Sequence, residues 1–327
     1  MTADTLVDSA TAPSITPAPR ATRPTRLALP KGRIHDGVVR LLNDAGLGLS
    51  GDTGDRRGYR PRLEGLDGFD AKLLKPQAIV AMLDAGSRDI GFAGADWVRE
   101  FGADLVELLD TGLDPVRLVV AAPEGQFRVA DERTGLRLAS EYSAIAEAWL
   151  ASRGQRGRVI RSFGATEVLP PEDADAILDV TQTGSTLRAN GLGIVETVMT
   201  SSTRLYASRN AMECPQRRPR LEELTLLLRS ALEARSRLMV ELNVDRSRLD
   251  AVLAVLPCMR RPTISPLHPE SPSGDAASSA DSEPQTTSTA FAVKAAVPKA
   301  GLPQLVLALK ARGASDIVIT PLRQVVP

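Results

Sequence analysis

Short apolar runs that end in a tight turn and hand over to a helical pattern recur through most of this 327-residue chain. Residues 26–29 form such a run. They lead through Pro30, Lys31, Gly32 and Arg33 into Ile34, Val38, Leu41, Leu42 and Ala45 at helical spacing, and Gly46 closes the pattern. Leu73 and Leu74 end a second strand before Pro76 opens a helix whose core face is Ile79, Val80 and Leu83. The segment DIGFAG at 89–94 leads into a helix that begins with Ala95, Asp96, Trp97 and Val98. Residues 137–140, 159–163 and 176–178 read as strands, with a helix at 143–153 and a helix start near Thr166. Alternation of this kind builds an α/β protein with helices on both faces of a largely parallel sheet. Four further short strands are expected at 105–109, 117–121, 193–199 and 203–207, the second crossing into a new lobe and the last returning. The expected architecture is two lobes around a cleft, residues 26–116 with 204–232 forming one and residues 117–203 the other.

Residues 221–235 read as a long helix with Leu224, Leu227, Leu228 and Leu232 on one face. Beyond it, strand, helix and strand at 238–244, 249–256 and 263–267 are followed by the same series at 291–297, 302–312 and 316–322, the βαββαβ order of a ferredoxin-like domain over 233–327. Between its middle strands, residues 268–290 are rich in Ser, Thr, Pro and Asp and carry almost no large apolar side chain. Such a segment cannot bury enough surface to offset its ordering entropy and is expected to be a disordered insertion, as is the Ala/Thr/Pro/Ser-rich stretch 1–25.

Lys plus Arg and Asp plus Glu both total 40, which removes the basic signature of a nucleic-acid binder, and 3% aromatics leave few stacking platforms. Two widely separated cysteines, Cys214 and Cys258, fit a reducing compartment rather than a disulfide framework. No apolar run reaches the ~18 residues of a membrane span, and residues 1–25 lack the apolar core of a secretory signal, so a cytoplasmic protein is expected.

Chemistry concentrates in the stretch DAILDVTQTGSTLRANGL at 175–192. A strand ending near Asp179 opens into Thr181, Gln182, Thr183, Gly184, Ser185 and Thr186, and a short helical pattern follows. Such a turn aims backbone N–H groups and hydroxyls at one point, which suits a phosphate. The carboxylate of Asp179, which is an acceptor and not a donor, suits the sugar hydroxyls of a ribose phosphate. The turn is neither a Walker loop nor a dinucleotide fingerprint. Lys31 and Arg33 at the first strand-to-helix turn are either a solvated charged turn or a diphosphate clamp. The loop 52–62 holds Arg56, Arg57, Tyr59, Arg60 and Arg62 and is either exposed or wrapped round a nucleotide triphosphate.

DVTQTGSTLRANGL resembles the phosphoribosyl-diphosphate loop of the ATP phosphoribosyltransferase family, and LALPKGR, DIGFAGADWV and RSFGATE are similar to other motifs of that family. The resemblance implies a periplasmic-binding-protein-like catalytic core. It implies Lys31 and Arg33 as catalytic residues, and Gly94, Glu167, Asp179, Thr181, Gln182, Thr183, Gly184, Ser185 and Thr186 at the substrates. It also implies ATP and phosphoribosyl diphosphate as substrates, Mg²⁺ as cofactor with its ligands unassigned, and a glycosyltransferase reaction opening histidine biosynthesis. LMVELNV, RPTISPL and GASDIVI resemble the ACT-like regulatory domain of long-form members. From these the resemblance implies histidine as feedback inhibitor at Glu241 and Thr263, and a homo-oligomer, dimer or hexamer. Arg261 stands where many members have Ser, and Gln182 where members carry an acidic or hydroxyl residue. A different class, a catalytically silent bilobal sensor with an assembly domain, would share the fold but leave the loop chemistry unused.

Overall fold

The computed structural model describes residues 23–51, 58–125, 135–268 and 290–326. Of the expected tail at 1–25 and insertion at 268–290, residues 1–22 and 269–289 lie outside the described residues, as do Arg56 and Arg57, whereas Thr25 begins β1 and Ala290 begins β13. From the amino end come β1 (Thr25–Pro30), α1 (His35–Asp44), β2 (Leu49–Ser50), β3 (Arg62–Leu63), β4 (Phe69–Leu74), α2 (Pro76–Asp84), β5 (Ile90–Gly94) and α3 (Ala95–Phe101). Next are β6 (Leu105–Pro123), β7 (Leu136–Ser140), α4 (Ser143–Ser152), β8 (Gly157–Arg161), β9 (Ala176–Thr181), α5 (Ser185–Ala189) and β10 (Leu192–Ser208). The chain continues with α6 (Arg209–Glu213), α7 (Arg218–Arg235), β11 (Arg237–Asp245), α8 (Leu249–Leu253), β12 (Thr263–Pro266), β13 (Ala290–Pro298), α9 (Leu302–Ala311) and β14 (Ser315–Pro321).

One sheet runs through both lobes in the order β4-β1-β5-β10-β6-β9-β7-β8. Parallel trios lie at its two ends, β4-β1-β5 and β9-β7-β8. The central pair β6 and β10 is antiparallel to each other and to the strands flanking it. In β1, β5 and the first half of β9 apolar side chains on both faces are buried, which is why those stretches read as continuous apolar runs, while the edge strands β4 and β8 carry polar, partly exposed residues. In the first lobe Leu27, Leu29, Phe92 and Leu205 pack with Val38 and Leu42 of α1 and Leu224 and Leu228 of α7, while Ala28, Ala93 and Tyr206 face Ile79 and Leu83 of α2. In the second, Leu138, Leu118 and Leu178 pack on Ile145 and Trp149 of α4, and Ile177, Val119 and Ala139 cover the other face with Leu187.

The carboxyl-terminal sheet has the order β12-β13-β11-β14, wholly antiparallel, with α8 and α9 on one face. That is the ferredoxin-like arrangement expected from βαββαβ.

Three local expectations change. The four strands expected at 105–109, 117–121, 193–199 and 203–207 are two, β6 and β10, each continuous through the lobe junction. Gly112 and Pro115 sit at irregularities in the β6–β10 register and do not end a strand. The helix expected after Thr166 is a single 3-10 turn, Thr166–Val168, preceded by Ala165 at φ 49°, with the Thr166 and Ser162 hydroxyls bonded to each other. Strand β9 also carries on through Asp179 to Thr181, because 177–181 pair with β6.

Asp89, fully buried just before β5, ties the first lobe together. It accepts from the Arg26 backbone N–H (2.8 Å), from Arg26 Nε and Nη2 (3.0 and 2.7 Å) and from Arg217 Nη1 (2.8 Å). Burial pushes its carboxyl up, but the hydrogen bonds and charge of Arg26, with Arg217, outweigh burial and hold it below the usual carboxylate range. A group so depressed stabilises the fold above its unfolded pKa and loses that contribution as pH falls through its folded value. Asp89→Ala leaves two cations facing an apolar interior. It is expected to cost about 3 kcal/mol at neutral pH, read from the urea midpoint, with the deficit shrinking in acid.

Candidate functional site

The turns after β1, β5 and β9 all leave the carboxyl ends of parallel strands, where open α/β sheets bind ligands. They meet over the middle of β6 and β10, so the cleft has two side walls and a floor crossing between lobes. Two adjoining cavities open there. One, of about 310 Å³, is lined by Glu167, Asp179, Val180, Thr181, Gln182, Thr183, Ser185 and Thr186, with Arg33 reaching in from the other lobe. The second, of about 240 Å³, is lined by Lys31, Arg33, Gly94, Asp96, Asp114, Glu141, Tyr142 and Ser201 among others. Arg33, Val116 and Val180 border both cavities.

The hydroxyl turn is braced from within. Thr181 Oγ1 accepts from the Gly184 N–H (2.9 Å), the Thr183 hydroxyl donates to Ser185 Oγ (3.0 Å), and Arg188 Nη1 donates to the Thr183 carbonyl (3.2 Å). Gly184 takes φ 75°, a left-handed conformation that reverses the chain between strand and helix. Gly184 itself is not on the cavity wall; it shapes the residues that are.

Burial pushes the Asp179 carboxyl up to about 6; the charges of Glu141 and Glu167 add to this, while a hydrogen bond from the Val180 N–H (2.7 Å) works against it. A carboxyl held this way ionises more readily when hydroxyl donors or positive charge arrive beside it.

On the facing lobe, Lys31 is anchored by its backbone N–H to the Leu74 carbonyl (2.8 Å), and its ammonium lies 3.2 Å from the centre of the Tyr59 ring. Arg33 points to Asp114, Nη1 to Oδ1 3.7 Å. Gly94 lines the second cavity, but the reason for a glycine is local: a Cβ there would lie 2.1 Å from Asp96 Oδ1.

Asp96 was not picked out by the sequence reading. Buried, it accepts from Tyr142 Oη (2.7 Å) and Ser201 Oγ (2.7 Å), joining α3 of one lobe to the other lobe and the floor. Burial first, and then the Asp96 charge and hydrogen bond, push the Tyr142 hydroxyl far above its usual pKa, so it stays a donor. Trp97 stacks on Tyr142 at 4.4 Å, and Glu100 accepts from the Ala144 and Ile145 N–H groups (3.0 Å each), capping α4 across the lobe boundary. Asp114, Glu141, Tyr142 and Ser201 were likewise missed. Spacing carries no signal for them, because the lobe junction alone brings them together.

In the carboxyl-terminal domain Glu241 and Thr263 flank Lys294 in one cross-strand row, since Glu241 and Thr263 both pair with Lys294 in register. Lys294 Nζ meets Glu241 Oε1 at 2.6 Å on the sheet face opposite the helices. Among the described residues no group of three or more His, Cys, Asp and Glu could hold a metal ion on its own. The carboxylates at the two cavities therefore suit Mg²⁺ only where substrate oxygens complete its shell, the usual arrangement for that ion.

Fold and cleft define a two-lobed, periplasmic-binding-protein-like α/β protein with a ferredoxin-like carboxyl-terminal domain. The family model for ATP phosphoribosyltransferase matches residues 75–230 and that for the HisG C-terminal domain residues 234–324. The chain therefore belongs to the ATP phosphoribosyltransferase family, in its long form, and is a transferase of the pentosyl-transferring kind. An ATP phosphoribosyltransferase from Pelotomaculum thermopropionicum is 35% identical over 308 residues, 92% of this chain and 99% of that one. One from Chlorobium phaeovibrioides is 38% identical over 251 residues, 75% of this chain and 84% of the relative. In fold, the chain is similar to a chain of the Thermotoga maritima ATP phosphoribosyl transferase (HisG:HisZ) complex, with TM-score 0.55 and 24% identity over 64% of this chain and 98% of that one.

Because the folded pKa of Asp179 is raised, its ionisation opposes folding. The penalty is absent below the unfolded pKa near 3.8 and grows as pH rises through about 6. Asp179→Asn is therefore expected to raise the thermal midpoint at pH 8, by the equivalent of about 1–2 kcal/mol, and to leave it nearly unchanged at pH 4. A gain equal at both pH values would show that charge is not the cause.

Proposed function

We propose that this chain transfers the phosphoribosyl group of phosphoribosyl diphosphate to N1 of ATP, the first step of histidine biosynthesis, and that the first cavity holds the ribose phosphate. The observation that carries the reading is the meeting of the hydroxyl turn after β9 with Arg33 across one cavity wall, with Lys31 beside it. Residues 26–116 with 204–232 and residues 117–203 act as the two catalytic lobes, and residues 233–327 as the regulatory domain.

Hydroxyls and N–H groups of Thr181, Gln182, Thr183, Ser185 and Thr186 hold the 5-phosphate. Asp179 and Glu167 accept from the ribose hydroxyls and, with Glu141, favour positive charge on the sugar as the C1–O bond breaks. The electron pair of that bond leaves with diphosphate, whose charge Lys31 and Arg33 balance, as N1 of adenine bonds to C1. Adenine is a weak nucleophile, so stabilising these opposite charges is the main task of the site. Asp179 and Glu167 are the carboxylates that would help hold Mg²⁺ together with substrate oxygens, and the ion would supply further charge neutralisation at the diphosphate. Glu241, Lys294 and Thr263 supply charged and hydroxyl partners for the carboxylate and amine of histidine. A homo-oligomer, dimer or hexamer, in the cytoplasm completes the reading; among the described residues no helix is long and apolar enough to cross a membrane.

Mixing the protein with ATP, Mg²⁺ and phosphoribosyl diphosphate is expected to change adenine ultraviolet absorbance. Replacing Thr183 and Thr186 by Ala should raise KM for phosphoribosyl diphosphate about 10-fold or more with KM for ATP little changed, since hydrogen bonds to a charged phosphate are lost. An unchanged KM in a folded variant removes the phosphate assignment. Added histidine is expected to slow the rate, and Glu241→Ala to relieve that inhibition without altering the uninhibited rate; equal inhibition of both proteins would place the inhibitor elsewhere.

A further inference from the structure

Asp114 is a charged residue in a backbone conformation that favours glycine. It takes φ 47° where β6 passes from one lobe to the other, just before Pro115, between Leu113, which pairs with Thr203, and Val116, which pairs with Ser201. A non-glycine residue there carries strain that a glycine would not, and such strain persists where the side chain is put to use. The side chain is itself unusually placed. Oδ1 faces Arg33 Nη1 at 3.7 Å, while Oδ2 is shielded from solvent and accepts no hydrogen bond among the described residues. Oδ2 instead lies against the first turn of α1, where a Cβ on Gly37 would come within 3.1 Å of it. One oxygen of the carboxylate is thus packed beneath the helix that Arg33 leads into, close to the positive end of that helix, while the other faces Arg33.

Arg33 borders both cavities and is about half exposed, so its long side chain has many alternatives in water. Resting on the proposed transfer reaction, we propose that Asp114 is a positioning residue: as a fixed counter-charge it holds the Arg33 guanidinium at the junction of the two cavities, so that the cation meets the substrate's diphosphate already oriented. An ordered guanidinium loses less freedom on binding than a free one. The helix end offsets part of the carboxylate's own repulsion of the anion. The role extends the clamp from the two cations at the β1 turn to the floor of the cleft, and it ties the orientation of Arg33 to the β6–β10 junction.

The test is a double-mutant cycle on the full chain, with inorganic diphosphate and Mg²⁺ as probe in calorimetry. Asn accepts a left-handed backbone, so Asp114→Asn removes charge while keeping shape. It is expected to weaken diphosphate binding about 5- to 10-fold when Arg33 is present and less than 2-fold in the Arg33→Gln background. Asp114→Gly, which relieves the backbone strain, should lose affinity to the same extent with a thermal midpoint unchanged or higher. In turnover, KM for phosphoribosyl diphosphate should rise and KM for ATP stay constant. Unchanged or tighter diphosphate binding in Asp114→Asn, an equal loss in both backgrounds, or no binding by the unmutated chain overturns the proposal. The transferase reading fails separately, as absent turnover by the unmutated chain with both substrates, and the diphosphate titration still decides the role of Asp114 in that case.

Discussion

Two antiparallel strands, β6 and β10, are the constraint on which the rest depends. Each is long enough to serve both lobes, and their ladder is the middle of the one sheet that spans the molecule. A lobe built only from its parallel trio would have an unpaired edge; the central pair supplies a partner to β5 on one side and to β9 on the other. The same pair makes the cleft, because the turns after β1, β5 and β9 open over the ladder where its register is irregular. Polar side chains add hydrogen bonds at that irregularity: the Thr111 hydroxyl donates to the Thr203 carbonyl, and Ser201 donates to Asp96.

Polar contacts across the junction then fix the lobes against each other. Asp96, Tyr142 and Ser201 form a buried network in which the carboxylate receives two hydroxyl donors and a tyrosine ring stacks on Trp97. Glu100 satisfies two N–H groups at the start of α4, where Tyr142 makes no side-chain cap. Network and cap both reach from α3 into the second lobe, so hydrogen bonds to Asp96 and Glu100 tie the two lobes together.

Within the cleft, two cations of the first lobe face three carboxylates of the second, and Asp96 and Asp114 add carboxylates from the first lobe itself. Lys31 and Arg33 come from the β1 turn, while Asp179, Glu167 and Glu141 come from the second lobe. Burial first, and then the charges of Glu141 and Glu167, hold the Asp179 carboxyl above its usual pKa, an environment that under the proposed reaction would favour positive charge arriving beside it. In the first lobe the buried Asp89 carboxyl is shifted in the opposite direction. Asp89 has two arginines and is quiet structure.

Periodicity alone determined the α/β class, the order of elements and the ferredoxin-like tail, because burying one stripe or one face imposes a repeat that can be read without a partner. It also put Lys31, Arg33 and the hydroxyl turn at strand ends, since a glycine-bearing turn between a strand and a helix is a local event. Tertiary structure decided what depends on register. It joined four expected strands into two, because pairing along the β6–β10 ladder overrides the local preference of Gly112 and Pro115. It carried β9 through Asp179, and it placed Lys294 between Glu241 and Thr263. It also assembled Asp96, Tyr142, Ser201 and Asp114, residues far apart in the chain whose chemistry exists only where the two lobes touch. A local pattern records what a segment buries; it holds no record of which distant segment will lie against it.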